Sequence, residues 1–159
     1  MSEDGLTYKI SGLSEMQREL EGLNEKIQKR CARRCVRAGA KVTLEAILAR
    51  VPVLSGFLRD HFKITTHVDR SDPTSAWAHV GPTTERYPAH VVRKLKKLLG
   101  DAMPYAPKTA SLVLRFLEFG TSHATGKHPM SVGFETSKDA ALQAMLAQLQ
   151  ADIQDAIQE

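Results

Sequence analysis

Residues 14–52 read SEMQRELEGLNEKIQKRCARRCVRAGAKVTLEAILARVP. Met16, Leu20, Leu23, Ile27, Cys31, Cys35, Ala38, Val42, Ala46 and Ala49 recur there at three- and four-residue spacing, which lines one face of a long α-helix. Ser14 followed by Gln17 has capping-box spacing and would start it. Val51-Pro52 would stop it, because a proline disfavours helical conformation in the residue before it. Gly22 and Gly39 each cost about 1 kcal/mol against alanine in a helix interior and mark where it would break. Lys26, Arg30, Arg33 and Arg37 project together away from the stripe and form a basic ridge. Farther on, Leu44, Ile47 and Leu48 make the helix apolar nearly all round, so its last third needs cover on both sides.

Working outward, Thr7-Tyr8-Lys9-Ile10 alternates like a strand ahead of the turn Ser11-Gly12-Leu13. After Pro52, Val53–Leu58 reads as a loop. The alternating stretches His61–Val68 and Ala76–Val80, separated by Asp69-Arg70-Ser71-Asp72-Pro73, read as a hairpin. Residues 93–99, ended by Gly100, have a short amphipathic helical pattern. Leu112–Phe119 precedes a loop, Gly120–Pro129, and a last helix capped by Thr136 follows, with Asp139 in its first turn and a stripe of Leu142, Met145, Leu146, Leu149, Ile153 and Ile157. The order strand, helix, hairpin, helix indicates an α+β fold, a small antiparallel or mixed sheet flanked by a long N-terminal and a C-terminal helix. We expect one domain over residues 1–159 with an insertion at 83–104.

With 159 residues, 42% hydrophobic and 25% charged, the composition is that of a globular chain able to bury a core without disulfide or metal. No apolar run approaches the roughly 18 residues of a membrane span. The acidic start, Met1-Ser2-Glu3-Asp4-Gly5, lacks the basic region and apolar core of a signal peptide, so we expect synthesis and use in a reducing cytoplasm. Charge is partitioned along the chain. Residues 1–25 hold six acids and two bases, 26–50 eight bases and one acid, 86–97 five bases and no acid, and 139–159 four acids and no base. Such blocks suit a nucleic-acid surface, or copies that dock basic face to acidic face.

Chemistry finds little purchase. Cys31 and Cys35 share a helix face, but Arg30 and Arg34 beside them repel a cation, and buried free thiols are ordinary core residues. His123 and His128 have metal-compatible spacing but no Cys-x-x-Cys partner. Ser55 or Ser122 with a histidine and Asp60 or Glu118 would make a hydrolytic set, yet no nucleophile elbow accompanies them. There is no phosphate loop. We therefore expect no enzyme, metal or cofactor. The basic ridge fits a docking face for acidic partners or a non-specific contact with nucleic-acid phosphate. Trp77 and Tyr87 are too few for a base-stacking platform.

Several strings in order resemble one family, the small head-tail connector and tail-completion proteins of long-tailed bacteriophages. They are Ile10-Ser11-Gly12-Leu13, Arg37-Ala38-Gly39-Ala40, the block Ala49-Arg50-Val51-Pro52-Val53-Leu54-Ser55-Gly56-Phe57-Leu58-Arg59-Asp60, His79-Val80-Gly81-Pro82, Tyr105-Ala106 and Leu117-Glu118-Phe119-Gly120-Thr121. His128-Pro129-Met130 leading to Phe134-Glu135 is similar to the family's turn before the last helix. Ser55 stands where the family has threonine, and Met130-Ser131-Val132-Gly133 replaces its commoner bulky-arginine-proline sequence. The resemblance implies an α+β subunit that assembles into a ring of about six copies at the head-proximal end of the tail, without catalysis.

The resemblance thus implies a structural protein of the virion neck that caps the tail tube, joins it to the head and leaves a channel for DNA. It would be assembled in the host cytoplasm, with itself, the tail tube protein, connector, stopper or adaptor proteins and the passing genome as partners, and no membrane. Surface assignments follow from the residues. Lys26, Arg30, Arg33 and Arg37, with Arg93, Lys94, Lys96 and Lys97, are candidates to face DNA or a docked partner. Asp152, Asp155 and Glu159, or the acidic N-terminus, are candidates to meet a neighbour's basic segment. Val53, Leu54, Phe57, Leu58, Phe119, Gly120, Thr121, His128 and Pro129 are candidates to dock on an adjoining ring. The rival reading is a non-specific DNA-binding protein that uses the basic face of the first helix, with a small hydrolase a distant third.

Overall fold

The computed structural model describes residues 25–53, 56–99, 109–122 and 125–158. The expected strand at 7–10, the Ser14 cap, Leu54, Ser55, Tyr105-Ala106, His123 and Glu159 lie outside the described residues. In chain order the elements are α1 (Glu25–Arg50), α2 (Phe57–Asp60), β1 (Phe62–Val68), β2 (Ala76–Pro82), α3 (Ala89–Leu99), α4 (Ala110–Phe119) and α5 (Pro129–Gln158). Helices with one two-stranded antiparallel sheet make the α+β class. The described residues divide into two compact units, one of 25–43, 64–80 and 137–158, the other of 44–53, 56–63, 81–99, 109–122 and 125–136.

In the first unit the core is helix on helix. Cys31 and Cys35 of α1 pack with Met145, Leu149 and Ile153 of α5, and Ile27 and Val36 close the edges. Each fully buried leucine or isoleucine contributes about 1.5–3 kcal/mol. The helices run antiparallel here, since Arg34 meets Asp152 while Gly39, farther along α1, meets Met145. That approach needs the glycine: a Cβ on Gly39 would lie 2.6 Å from Met145 Cγ. It also corrects the expected stripe. Beyond Cys35 the buried row runs through Gly39, Ala40 and Thr43 in this unit, whereas Ala38 and Val42 are only half-buried. Small size at the contact outweighed apolarity in choosing which residues face the partner helix.

The hairpin forms where alternation predicted it. Asp69 Oδ1 accepts from the N–H and hydroxyl of Ser71 at 2.8 and 2.7 Å, and Asp72 Oδ1 accepts from those of Thr74 at 2.9 and 2.6 Å. These side-chain turns reverse the chain. They also hold both carboxyls below their usual pKa, chiefly through the hydroxyl bonds. The Asp69 N–H bond to Ser75 O sets the register that puts His67 opposite Trp77. Thr65, His67, Trp77 and His79 are exposed, and the residues between them are half-buried.

In the second unit α2 packs on α4. Leu58, Tyr87, Ala110 and Leu114 are buried, as are Ile47, expected on the face of α1 away from the stripe, and Val51 just beyond its end. Here Ala46 is half-buried and Ala49 exposed, so the stripe is again displaced from its expected positions. Arg86 bridges Thr109, which brings the two flanks of α3 together. The expected helix at 93–99 is the latter part of α3, which follows Pro88 and bonds the N–H groups of Val91 and Val92 to its carbonyl. The last helix begins earlier than expected, at Pro129. Thr136 is inside it, with its hydroxyl donating back to Val132 O at 2.9 Å.

Candidate docking surface

The loop between α4 and α5 folds back on the end of α4. Thr109 caps the start of α4 by accepting from Leu112 N–H at 3.3 Å. At its other end Gly120 donates to Phe116 O at 2.8 Å, and Lys127 and His128 donate to Leu117 O at 2.7 and 3.3 Å, so carbonyls a helix end leaves open are satisfied. Gly126 passes so close to the Glu118 carbonyl that a side chain would strike backbone. Glu118, only 6% exposed, turns its carboxylate to the start of α5 and accepts from Met130 N–H at 2.9 Å, Ser131 N–H at 3.1 Å and the Ser131 hydroxyl. A carboxylate on the first N–H groups of a helix is favoured by both hydrogen bonding and the helix dipole. Glu118 is therefore a cap for another helix rather than part of a hydrolytic set. Pro129 fills the first helical position and is fully buried.

This clasp leaves Phe119 69% exposed between two fixed neighbours. His128 is exposed and sits at φ 48, a left-handed conformation that costs a non-glycine residue about 1 kcal/mol or more. Val132, in the first turn of α5, is also exposed. In the same unit Phe57 stacks on His61, with centroids 3.7 Å apart, and leans on Tyr87 at 4.2 Å. His61 Nδ1 lies 2.7 Å from Phe57 O and Nε2 lies 2.9 Å from Glu85 Oε2. Burial pushes the Tyr87 hydroxyl up to about 12.

Of the residues expected to dock on an adjoining ring, Val53, Phe119, Thr121 and His128 are thus exposed. Leu58 and Pro129 are buried in their own unit, and Phe57 is engaged with His61 and Tyr87. Docking through Leu58 or Pro129 is corrected: each contributes its apolar surface to the fold.

The expected basic face is exposed at Lys26, Arg30, Arg33 and Arg37. Some α1 charge is engaged within the chain: Lys29 pairs with Glu25, Arg34 lies 2.9 Å from Asp152 Oδ1, and Lys26 and Arg30 have intrachain partners. On α3, Arg93 and Lys97 are exposed beside His90, and Lys94 and Lys96 belong to the same helix. Asp152 departs from expectation. It was grouped with Asp155 and Glu159 for a neighbour's basic segment, but it is 2% exposed and bound to Arg34 and to the Gln148 amide, at 3.0 Å. Asp155 is exposed. Cys35 donates to Met145 O at 3.3 Å, and its thiol is pushed up to about 11 by burial and the nearby Asp152 charge. Cys31 is raised for the same two reasons.

The sequence reading weighed Trp77 only as a base-stacking residue and did not single it out as an exposed apolar surface. It is 49% exposed and stacked on His67 at 4.2 Å, and strand register was the signal that pairs them. Among the described residues no three of His, Cys, Asp and Glu gather to hold a metal, and no helix is long and apolar enough to cross a membrane.

Comparison with known proteins gives one finding. Residues 14–120 match the family model HK97-gp10_like, described as "Bacteriophage HK97-gp10, putative tail-component". No curated protein and no solved structure matches.

Proposed function

The chain belongs to the HK97-gp10-like family of bacteriophage tail components, and from that premise we propose that it is the ring-forming subunit that completes the head-proximal end of the tail. Its role in the tail is structural, and its working partners are other tail or virion proteins. In this reading about six copies close into a ring that caps the tail tube, meets the connector, stopper or adaptor proteins of the head, and leaves a channel for DNA. The subunit is then a neck protein of the virion, assembled in the host cytoplasm. What supports docking rather than catalysis is the clasp. It satisfies the backbone around a polar loop and still holds an aromatic side chain in solvent, the arrangement of a preorganised anchor. Phe119, with Val53, Thr121 and His128, is the surface offered to an adjoining ring.

Ring closure needs two different faces on each subunit. The exposed ridge Lys26, Arg30, Arg33 and Arg37 supplies one, and Asp155 with the acidic chain ends supplies the other. Asp152 is not counted, because its charge is met by Arg34.

The test is the solution mass of the full chain by light scattering across concentration and salt, alone and with purified tail tubes. A discrete oligomer near six subunits, alone or on the tube end, is expected, and Asp155→Lys should reduce it. A chain that stays monomeric alone and leaves tube ends bare would overturn the reading.

A further inference from the structure

We propose that α3 is the part of the subunit that touches duplex DNA, through a sequence-independent grip on phosphate that lets the duplex slide. This rests on the DNA-channel reading above and adds which helix faces the channel.

From Arg86 to Gly100 the chain has five bases and no acid. Within that stretch His90, Arg93 and Lys97 are exposed at spacings of three and four, and so form one row on α3. A four-residue step is about 6 Å along a helix, so Arg93 and Lys97 present two charges to neighbouring phosphates. Neither has an ion-pair partner among the described residues. On α1, Arg34 and Lys29 neutralise acids of their own chain and Lys26 and Arg30 are also engaged, so Arg33 and Arg37 are the comparable exposed pair, and they stand on the ridge assigned above to ring closure.

The orientation of α3 selects the class of polyanion. Val91 and Val92 are half-buried while the cations stand outward. A helix that lies on a bilayer turns its apolar face to the lipid, whereas here Val91 and Val92 are partly covered and the exposed row is cationic. With two long, flexible cations and no Asn or Gln beside them in the row, the contact expected is with phosphate, which every sequence presents alike. Two charges per subunit hold weakly. Repeated around a ring they add by effective concentration, and because no single contact is strong the DNA is steadied without being stopped.

The experiment measures binding of the full chain to two short duplexes of unrelated sequence, by fluorescence anisotropy across a sodium chloride series. It compares wild type with Arg93→Gln/Lys97→Gln and with Arg33→Gln/Arg37→Gln. Circular dichroism checks the fold of each variant and light scattering its mass. The α3 variant should keep the wild-type mass. Arg33 and Arg37 also belong to the proposed ring-closing ridge, so the α1 variant is compared with wild type diluted to the same measured mass. Wild type should bind both duplexes alike. The α3 variant should flatten the plot of log affinity against log salt by about two and weaken low-salt binding about tenfold or more. The α1 variant should do less than half of this. An α1 variant with the larger effect, no duplex binding by wild type, or binding to vesicles containing phosphatidylglycerol without duplex binding would each overturn the assignment. A ring that forms but ignores DNA removes the α3 inference and leaves the ring reading standing. Duplex binding lost with α3 in a chain that never oligomerises does the reverse.

Discussion

Two places where α5 meets another helix use opposite physics. In the first unit α5 lies against α1 through Met145, Leu149 and Ile153, packed on two thiols and one glycine, with the charged pair Arg34 and Asp152 at the edge. In the second unit its first turn meets α4 through hydrogen bonds: a buried carboxylate on two amides, and a loop that returns its own amides to the end of α4. The first contact is made of volume and tolerates little change of shape. The second is made of donors and acceptors, tolerates polar sequence, and can sit beside solvent. A loop stabilised in the second way can leave an aromatic exposed at its base, at the end of α4, which a contact sealed by apolar packing would bury.

The comparison can be broken most severely from the core side. Leu149→Ala should cost about 3–4 kcal/mol, since it removes a buried leucine where two helices cannot close the gap, and denaturant unfolding measures it. A loss under about 1 kcal/mol would mean that the α1–α5 contact is not built on volume. Next in size, Arg34→Met leaves the Asp152 charge buried with only an amide and should cost about 3 kcal/mol, whereas the double change Arg34→Met/Asp152→Leu should recover most of it. An additive double mutant would show that the two side chains do not act as a pair.

On the polar side, Glu118→Ala should cost about 2 kcal/mol, with Glu118→Gln recovering part. Hydrogen exchange at Met130 and Ser131 should quicken in the alanine variant while the amides around Leu149 keep their protection. Loss of protection in both places would erase the distinction between the two contacts.

The smallest effect separates the units by pH. Cys35 rises from 9.0 to about 11 and Tyr87 from 10.0 to about 12. In each the folded state favours the protonated form. The stabilising contribution is therefore whole below the lower value and is lost as pH climbs to the upper one. At pH about 10 the thiol has cost on the order of 1 kcal/mol and the phenol contributes less. Exchange at amides beside Cys35 should accelerate first, those beside Tyr87 about one pH unit later, and Cys35→Ala should remove the earlier step.

Much of this was legible from the chain alone, because it depends on period. Alternation found both strands, proline at 52 marked the end of α1, and the amphipathic run at 93–99 found a helix. What period could not show is distance across the fold. The buried row of α1 passes through Gly39 and Thr43 because Met145 comes close there, and no apolarity scale ranks a glycine above a valine. The start of α5 was misplaced for a similar reason. Thr136 has the chemistry of a cap, but Glu118 does the capping from another helix, and only Pro129 at the first helical position carried a local signal. The exposed cations of α1 and α3 were legible as positions, whereas the burial of Asp152 was not, because its partner Arg34 comes from α1, far away in sequence.

The bond from Cys35 to Met145 joins residues 110 apart in sequence. On a ribosome adding about 5–20 residues per second, the α1 face that carries the thiols waits roughly 5–20 s for the helix that covers it. The hairpin, closed by its own aspartates, can form within about 10 μs of synthesis. Each nascent subunit therefore passes through a period in which the thiol-bearing face of α1 is complete and uncovered. Crowding of many such chains on one messenger, rather than instability of the finished protein, sets how fast the subunit can be made without aggregating.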